Sequence, residues 1–201
     1  MKTQMNRPKV TATLFVLALL TLITAGLAHA EDKIPEGFFL GVNAGYGGSS
    51  YGYTEGSKSI WEEGADGAVG GLRAGYAVSS KFALSIEGYG FGDTSEGEDE
   101  ELGIGAGLIA VTWHPVGKGF FLRAGFGGGG GNMLHPESGE KITIRDRAAG
   151  LFGLGYDWRI GSKTSLGLSV DSIIINAGGA LGNEDDYVTG GGLTLQFTWH
   201  L

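Results

Sequence analysis

The chain has 201 residues, 14 Lys or Arg against 22 Asp or Glu, a net charge of −8, 40 glycines and no cysteine. An acidic balance without a basic stripe excludes nucleic acid as a partner, and the missing cysteines exclude a disulfide framework. Glycine so far above its usual share, with neither a Gly-X-Y period nor excess proline, excludes collagen and plain disorder.

Residues 1–30 read as a secretory signal peptide. Lys2, Arg7 and Lys9 form a basic start, residues 14–23 an apolar stretch, and Ala28-His29-Ala30 a small-x-small cleavage site followed by Glu31 and Asp32. Cleavage removes three basic groups and no acidic one, which takes the net charge from −8 to −11. Residues 31–201 are long enough for one domain, and no later apolar run reaches the length of a transmembrane helix.

Eight segments then alternate with a period of two, the pattern of a strand with one oily and one wet face. Segment 37–47 carries Phe38, Leu40, Val42, Ala44 and Tyr46 on one face and Gly41, Asn43 and Gly45 on the other. Segment 68–78 sets Leu72, Ala74, Tyr76 and Val78 against Gly71, Arg73 and Gly75, and segment 81–92 sets Phe82, Leu84 and Ile86 against Ser85, Glu87 and Tyr89. Segment 102–114 is apolar on both faces, and we place Ile109, Val111 and Trp113 outward. Segment 119–128 sets Phe120, Leu122, Ala124 and Phe126 against Phe121, Arg123 and Gly125. Segment 147–160 sets Phe152, Leu154, Tyr156, Trp158 and Ile160 against Gly153, Gly155, Asp157 and Arg159. Segment 164–175 sets Leu166, Leu168 and Val170 against Gly167, Ser169 and Asp171. The last, 190–201, alternates Leu193, Leu195, Phe197, Trp199 and Leu201 with Thr194, Gln196, Thr198 and His200.

The connections alternate too. Residues 79–80, 115–118 and 161–163 are short turns, whereas 48–67, 93–101, 129–141 and 176–189 are long and polar. Short turns on one side and long loops on the other predict an all-β fold, an eight-stranded antiparallel transmembrane β-barrel with both termini on the short-turn side. A soluble barrel would have the opposite polarity, oily inside and wet outside.

This series resembles the small eight-stranded outer-membrane β-barrels of the OmpA/OmpX type. The signal peptide, the Gly/aromatic strands such as 41–46 and 153–158, and the closing strand carry the resemblance, which spans residues 38–201. It implies a bacterial outer-membrane location in a Gram-negative envelope, contact with outer-membrane lipid and lipopolysaccharide, and a monomer. It also implies that Leu193, Leu195, Phe197, Trp199 and Leu201 form the signal read by the barrel-assembly machinery. That signal usually ends in Phe, whereas this chain ends in Leu201 after an aromatic Trp199. The peptidoglycan-binding domain of the longer members is not expected.

On the wet face, Arg73, Glu87, Arg123, Asp157 and Asp171 point into a lumen with room for side chains and little else. Heights above the short turns pair Arg73 with Glu87 and Arg123 with Asp157, with Asp171 joining the second pair. Unpaired charges there would be costly, so the expectation is a salt-bridged plug and a structural or surface-interacting, non-enzymatic protein. A small porin-like pore is the alternative, because inward glycines leave space. Tyr46, Tyr76, Trp113, Tyr156, Trp158 and Trp199 on the oily face read as an interfacial girdle.

The remaining motifs carry less. The Gly-rich run 125–131 contains a G-x-G-x-x-G but no helical period follows it, so a dinucleotide site is not expected. His135, Glu137 and Ser138 would give a lipid-modifying or proteolytic enzyme its groups, yet they are ordinary loop residues, and no catalytic site is expected. The acidic stretches 93–101 and 184–186 lack the EF-hand order and read as solvated charge able to bridge loosely to lipopolysaccharide through Ca²⁺ or Mg²⁺. Neither a protein-bound metal nor a cofactor is expected.

Overall fold

The computed structural model describes residues 33–55, 58–93, 103–116, 119–134, 141–178 and 186–201. The predicted signal peptide, His135 and most of the acidic stretches lie outside these residues. The chain forms eight strands: β1 (Gly37–Glu55), β2 (Lys58–Ala77), β3 (Phe82–Asp93), β4 (Gly103–Trp113), β5 (Phe120–Leu134), β6 (Lys141–Arg159), β7 (Thr164–Asn176) and β8 (Tyr187–His200). Each pairs antiparallel with the next, and β8 closes on β1, giving a closed barrel.

Closure follows from the closing strand's pattern. Trp199 faces Leu40 and Phe197 faces Val42 on the outside, while Thr198 faces Gly41 and Gln196 faces Asn43 on the inside. A one-residue slip would turn every apolar side chain inward. The outer wall is apolar and open: Phe38, Leu40, Val42, Leu72, Leu84, Ile86, Ile109, Val111, Phe126, Phe152, Leu195 and Phe197 are all exposed. From Phe38 to Tyr46 this band is about 20 Å tall for strands of ordinary rise and tilt. Such a surface is stable only against hydrocarbon, and a closed barrel leaves no backbone edge to satisfy there.

The strands outrun that band. Within 48–67 and 129–141, expected as loops, the described residues are strand: Ser50 to Glu55 pairs with Glu63 to Lys58, and Gly131 to Leu134 pairs with Ile144 to Lys141. Above the lipid no apolar face is required, so the alternation lapses, but backbone groups still need partners and the ladders continue. A register slip marks each departure, between Gly48 and Ser50 and between Gly129 and Gly131. At the second, Asp146 takes a φ of 52°, a left-handed conformation that Asp adopts more readily than most residues.

The lumen has two halves. Near the long loops it is packed with Val69, Tyr89, Phe91, Ile104, Ala106, Leu108, Ile144, Leu151, Ile173, Ile175 and Val188, all buried. Tyr51, Ala65 and Ile142 lean onto this layer from the β1–β2 and β5–β6 arms. The expected uniformly polar interior is therefore confined to the half near the short turns. The two-sided apolar pattern of β4 reflects this arrangement, with Ile109, Val111 and Trp113 outward and Ile104, Ala106 and Leu108 inward.

Candidate functional site: the charged layer of the lumen

Arg123 is the centre of the polar half. Its guanidinium, 1% exposed, lies between two buried carboxylates, with Nη1 3.5 Å from Glu87 Oε2 and Nη2 donating to Asp171 Oδ1. Ser85 Oγ donates to Glu87 Oε1 at 2.7 Å. Asp171 Oδ2 accepts from Ser169 Oγ at 2.6 Å and Thr194 Oγ1 at 3.0 Å. Both carboxylates thus keep acceptor sites filled by hydroxyls as well as by the cation, which offsets their desolvation. The Arg123 guanidinium also lies over the Phe121 ring, 5.8 Å from its centroid.

These contacts correct the expected pairing. Arg73 and Glu87 do face each other across β2 and β3, but Arg73 Nη2 donates to Thr198 Oγ1 at 2.6 Å and its guanidinium lies 5.7 Å from the Phe39 centroid. Asp157 accepts from Gln196 Nε2, and it is Asp171 that Arg123 engages.

The reason is a common geometric device. Arg73, Gly41 and Thr198 occupy one row across β2, β1 and β8. Arg123, Gly153 and Asp171 occupy one row across β5, β6 and β7. Asp157, Gly167 and Gln196 occupy one row across β6, β7 and β8. In each row the polar contact passes over a middle strand whose inward residue is glycine. A Cβ on Gly41 would sit 2.6 Å from Arg73 Nε, one on Gly153 2.1 Å from Asp171 Oδ1, and one on Gly167 2.2 Å from Asp157 Oδ1. Barrel curvature brings alternate strands' side chains together, and the glycine supplies the lane between them.

At the short-turn end a cavity of about 20 Å³, room for a single water, is lined by Ile34, Phe39, Arg73, His114, Asp157 and His200 among others. A wider groove of about 590 Å³ lies outside, on the lipid-facing wall among Leu40, Leu72, Ile86, Phe197 and Trp199.

Of the girdle residues, Tyr46, Tyr76, Trp113 and Trp199 are exposed on the outer wall. Tyr156 differs: it is 6% exposed, with its ring centroid 5.0 Å from that of Trp158 and against the bare backbone of Gly119. Asp186 also departs from the expected solvated loop charge, being fully buried. In the closing strand, Leu195, Phe197, Trp199 and Leu201 face outward and exposed, with Leu193 half-buried on the same face. The residues that the sequence reading did not single out are Gly41, Gly153, Gly167, Ser85, Ser169, Thr194, Gln196 and Thr198. All share the inward phase of a named charge, which was the available signal.

No family model matches the sequence, and no curated protein matches it. Solved structures do resemble the fold. Neisserial surface protein A aligns with a TM-score of 0.55 at 10% identity, over 82% of this chain and 97% of that one. Ail, the attachment invasion locus protein of Yersinia pestis, aligns at 0.48 and 13% identity over 83% and 100%. The outer membrane protein AlkL, solved in lipid bilayers, aligns at 0.38 and 15% identity over 85% and 94%. At these identities the likeness concerns architecture: this is the fold of the small eight-stranded outer-membrane barrels. With its apolar outer wall it is a membrane-spanning barrel of the bacterial outer membrane.

Proposed function

We propose that the protein is a non-enzymatic, non-conducting outer-membrane barrel whose working surface is the pair of arms β1–β2 and β5–β6 beyond the lipid. One observation carries this reading: the lumen is filled twice over. The half nearer the arms holds the apolar cluster built on Phe91, Ile104, Ile173 and Val188, and the other half holds Arg123 between Glu87 and Asp171. A conducting eight-stranded barrel needs a wetted path, and stacked apolar and ion-paired layers oppose one. The arms are then rigid paired strands raised above the membrane, suited to contacts with lipopolysaccharide or with other surfaces. Planar-bilayer recording of the refolded barrel tests the reading. Baseline current is expected; steady single-channel currents would move the protein to the small-pore class.

A further inference from the structure

The four residues before β1 turn under the barrel. Ile34 is 7% exposed, although Lys33 and Glu36 on either side of it are exposed. It lines the small cavity at the short-turn end together with Phe39, Ala77, Ala83, His114 and His200. Those five are buried residues of β1, β2, β3 and β8 and the residue that follows β4, so they form the rim of the mouth. Ile34 comes from outside the strands, and its side chain enters that mouth from below.

Two features of the sequence aim it there. Gly37, the first residue of β1, has a φ of 118°, a backbone conformation that residues with side chains rarely adopt. A Cβ on Gly37 would meet only the Leu201 carbonyl, at 3.9 Å, an ordinary contact. Conformation, not crowding, is therefore what calls for glycine, and the bend it makes carries residues 33–36 across the mouth. Pro35 disfavours helix at Ile34 and brings no N–H of its own into a sheltered place. Just inside, Phe39, Ala77 and Ala83 form a small buried apolar cluster, separate from the layer near the long loops. An isoleucine at this collar is sheltered from water, which favours the covered mouth.

We propose that residues 33–36 are a strap closing the periplasmic mouth of the barrel, with Gly37 as its hinge and Ile34 as its latch. Held by one side chain, the strap belongs to the least stable part of the fold and opens without unfolding the strands. It controls when water from the periplasm reaches Arg73, His114 and His200, whereas the packed layers above determine whether the lumen conducts. Such a strap serves a plugged lumen and a pore alike, so it does not depend on the non-conducting role proposed above.

The chain has no cysteine, so one introduced thiol reports one position. Ile34→Cys and Glu36→Cys are each refolded in micelles, checked by heat-modifiable migration and treated with a polyethylene glycol maleimide, whose attachment slows the chain on a gel. In the folded barrel the Ile34→Cys thiol should react roughly tenfold or more slowly than that of Glu36→Cys, and in urea at the same rate. Adding Gly37→Ala should raise the Ile34→Cys rate to that of Glu36→Cys while the barrel stays folded, because a methyl group fits there but the bend does not suit it. Equal rates at the two positions in the folded barrel would overturn the proposal. So would protection of Ile34→Cys that survives Gly37→Ala unchanged, since the strap would then owe nothing to its hinge. Where Gly37→Ala does not refold, the comparison of Ile34→Cys with Glu36→Cys decides alone.

Discussion

Arg123 reaches Asp171 across an intervening strand, over Gly153, and the missing side chain of that glycine is what lets the pair meet. A methyl group at position 153 would overlap the carboxylate and push it from the guanidinium. Gly153→Ala is therefore expected to cost about 2–4 kcal/mol, combining overpacking with a weakened buried ion pair. Gly88, on the outer wall with nothing within 4 Å of its missing Cβ, is the control. Gly88→Ala should be neutral or stabilise by up to about 1 kcal/mol through the unfolded chain. Urea unfolding midpoints in lipid vesicles separate the two. Equal midpoints would mean that the lane over Gly153 is not needed.

A double-mutant cycle on Arg123 and Asp171 should show a coupling of about 1.5–3 kcal/mol, since each single change strands a buried charge. The same cycle on Arg73 and Glu87 should give less than about 0.5 kcal/mol beyond additivity, because they bond to Thr198 and to Arg123 with Ser85. Heat-modifiable gel migration of each variant confirms that it folds before the energies are compared. Strong Arg73–Glu87 coupling would restore the adjacent-strand pairing read from heights above the turns.

Strand count, connectivity and the outward face were readable because lipid imposes one requirement on every strand and a period of two reports it directly. Phe38 to Tyr46 and Leu193 to Leu201 are plain cases. The arms were not readable: between Gly48 and Asp66 the ladder persists with no oily face to mark it. The pairing of charges was half readable. Inward phase placed Arg73, Glu87, Arg123, Asp157 and Asp171 in the lumen, but their partners depend on how curvature and glycines redirect long side chains. The contact of Arg123 with Asp171 needs the coincidence of three registers, which no single strand's pattern encodes. The apolar half of the lumen was hidden because phase says only which side a residue faces: it puts Leu108 and Ile173 inward, but not whether the lumen around them is wet or packed.

Tyr89 sits in the apolar layer, 4% exposed, and its hydroxyl has no hydrogen-bond partner among the described residues. Burying an unpaired hydroxyl is unfavourable, whereas the ring is part of the buried apolar cluster. Tyr89→Phe keeps the ring and removes the polar atom, and should stabilise the barrel by about 1 kcal/mol. Tyr89→Ala should cost about 3–5 kcal/mol through the cavity it leaves. The two changes moving the unfolding midpoint in the same direction would show that the hydroxyl is satisfied, by water or otherwise.

The two filled layers also predict how the lumen opens. Phe91 and Ile104 face each other across β3 and β4 and cover Gly190 of β8, whose Cβ would lie 2.9 Å from both. They sit in the apolar layer, away from Arg123. Arg123→Ala alone should destabilise the barrel by about 3–5 kcal/mol, because Glu87 and Asp171 lose their shared cation. It should leave conductance at baseline, since the apolar layer still excludes water. Phe91→Ala with Ile104→Ala should likewise leave baseline current, with the ion-paired layer now acting as the remaining block. Only the triple change is expected to produce channel events in planar bilayers. Should Arg123→Ala conduct by itself, the apolar layer would not be a barrier, and the charged network alone would be what closes the barrel.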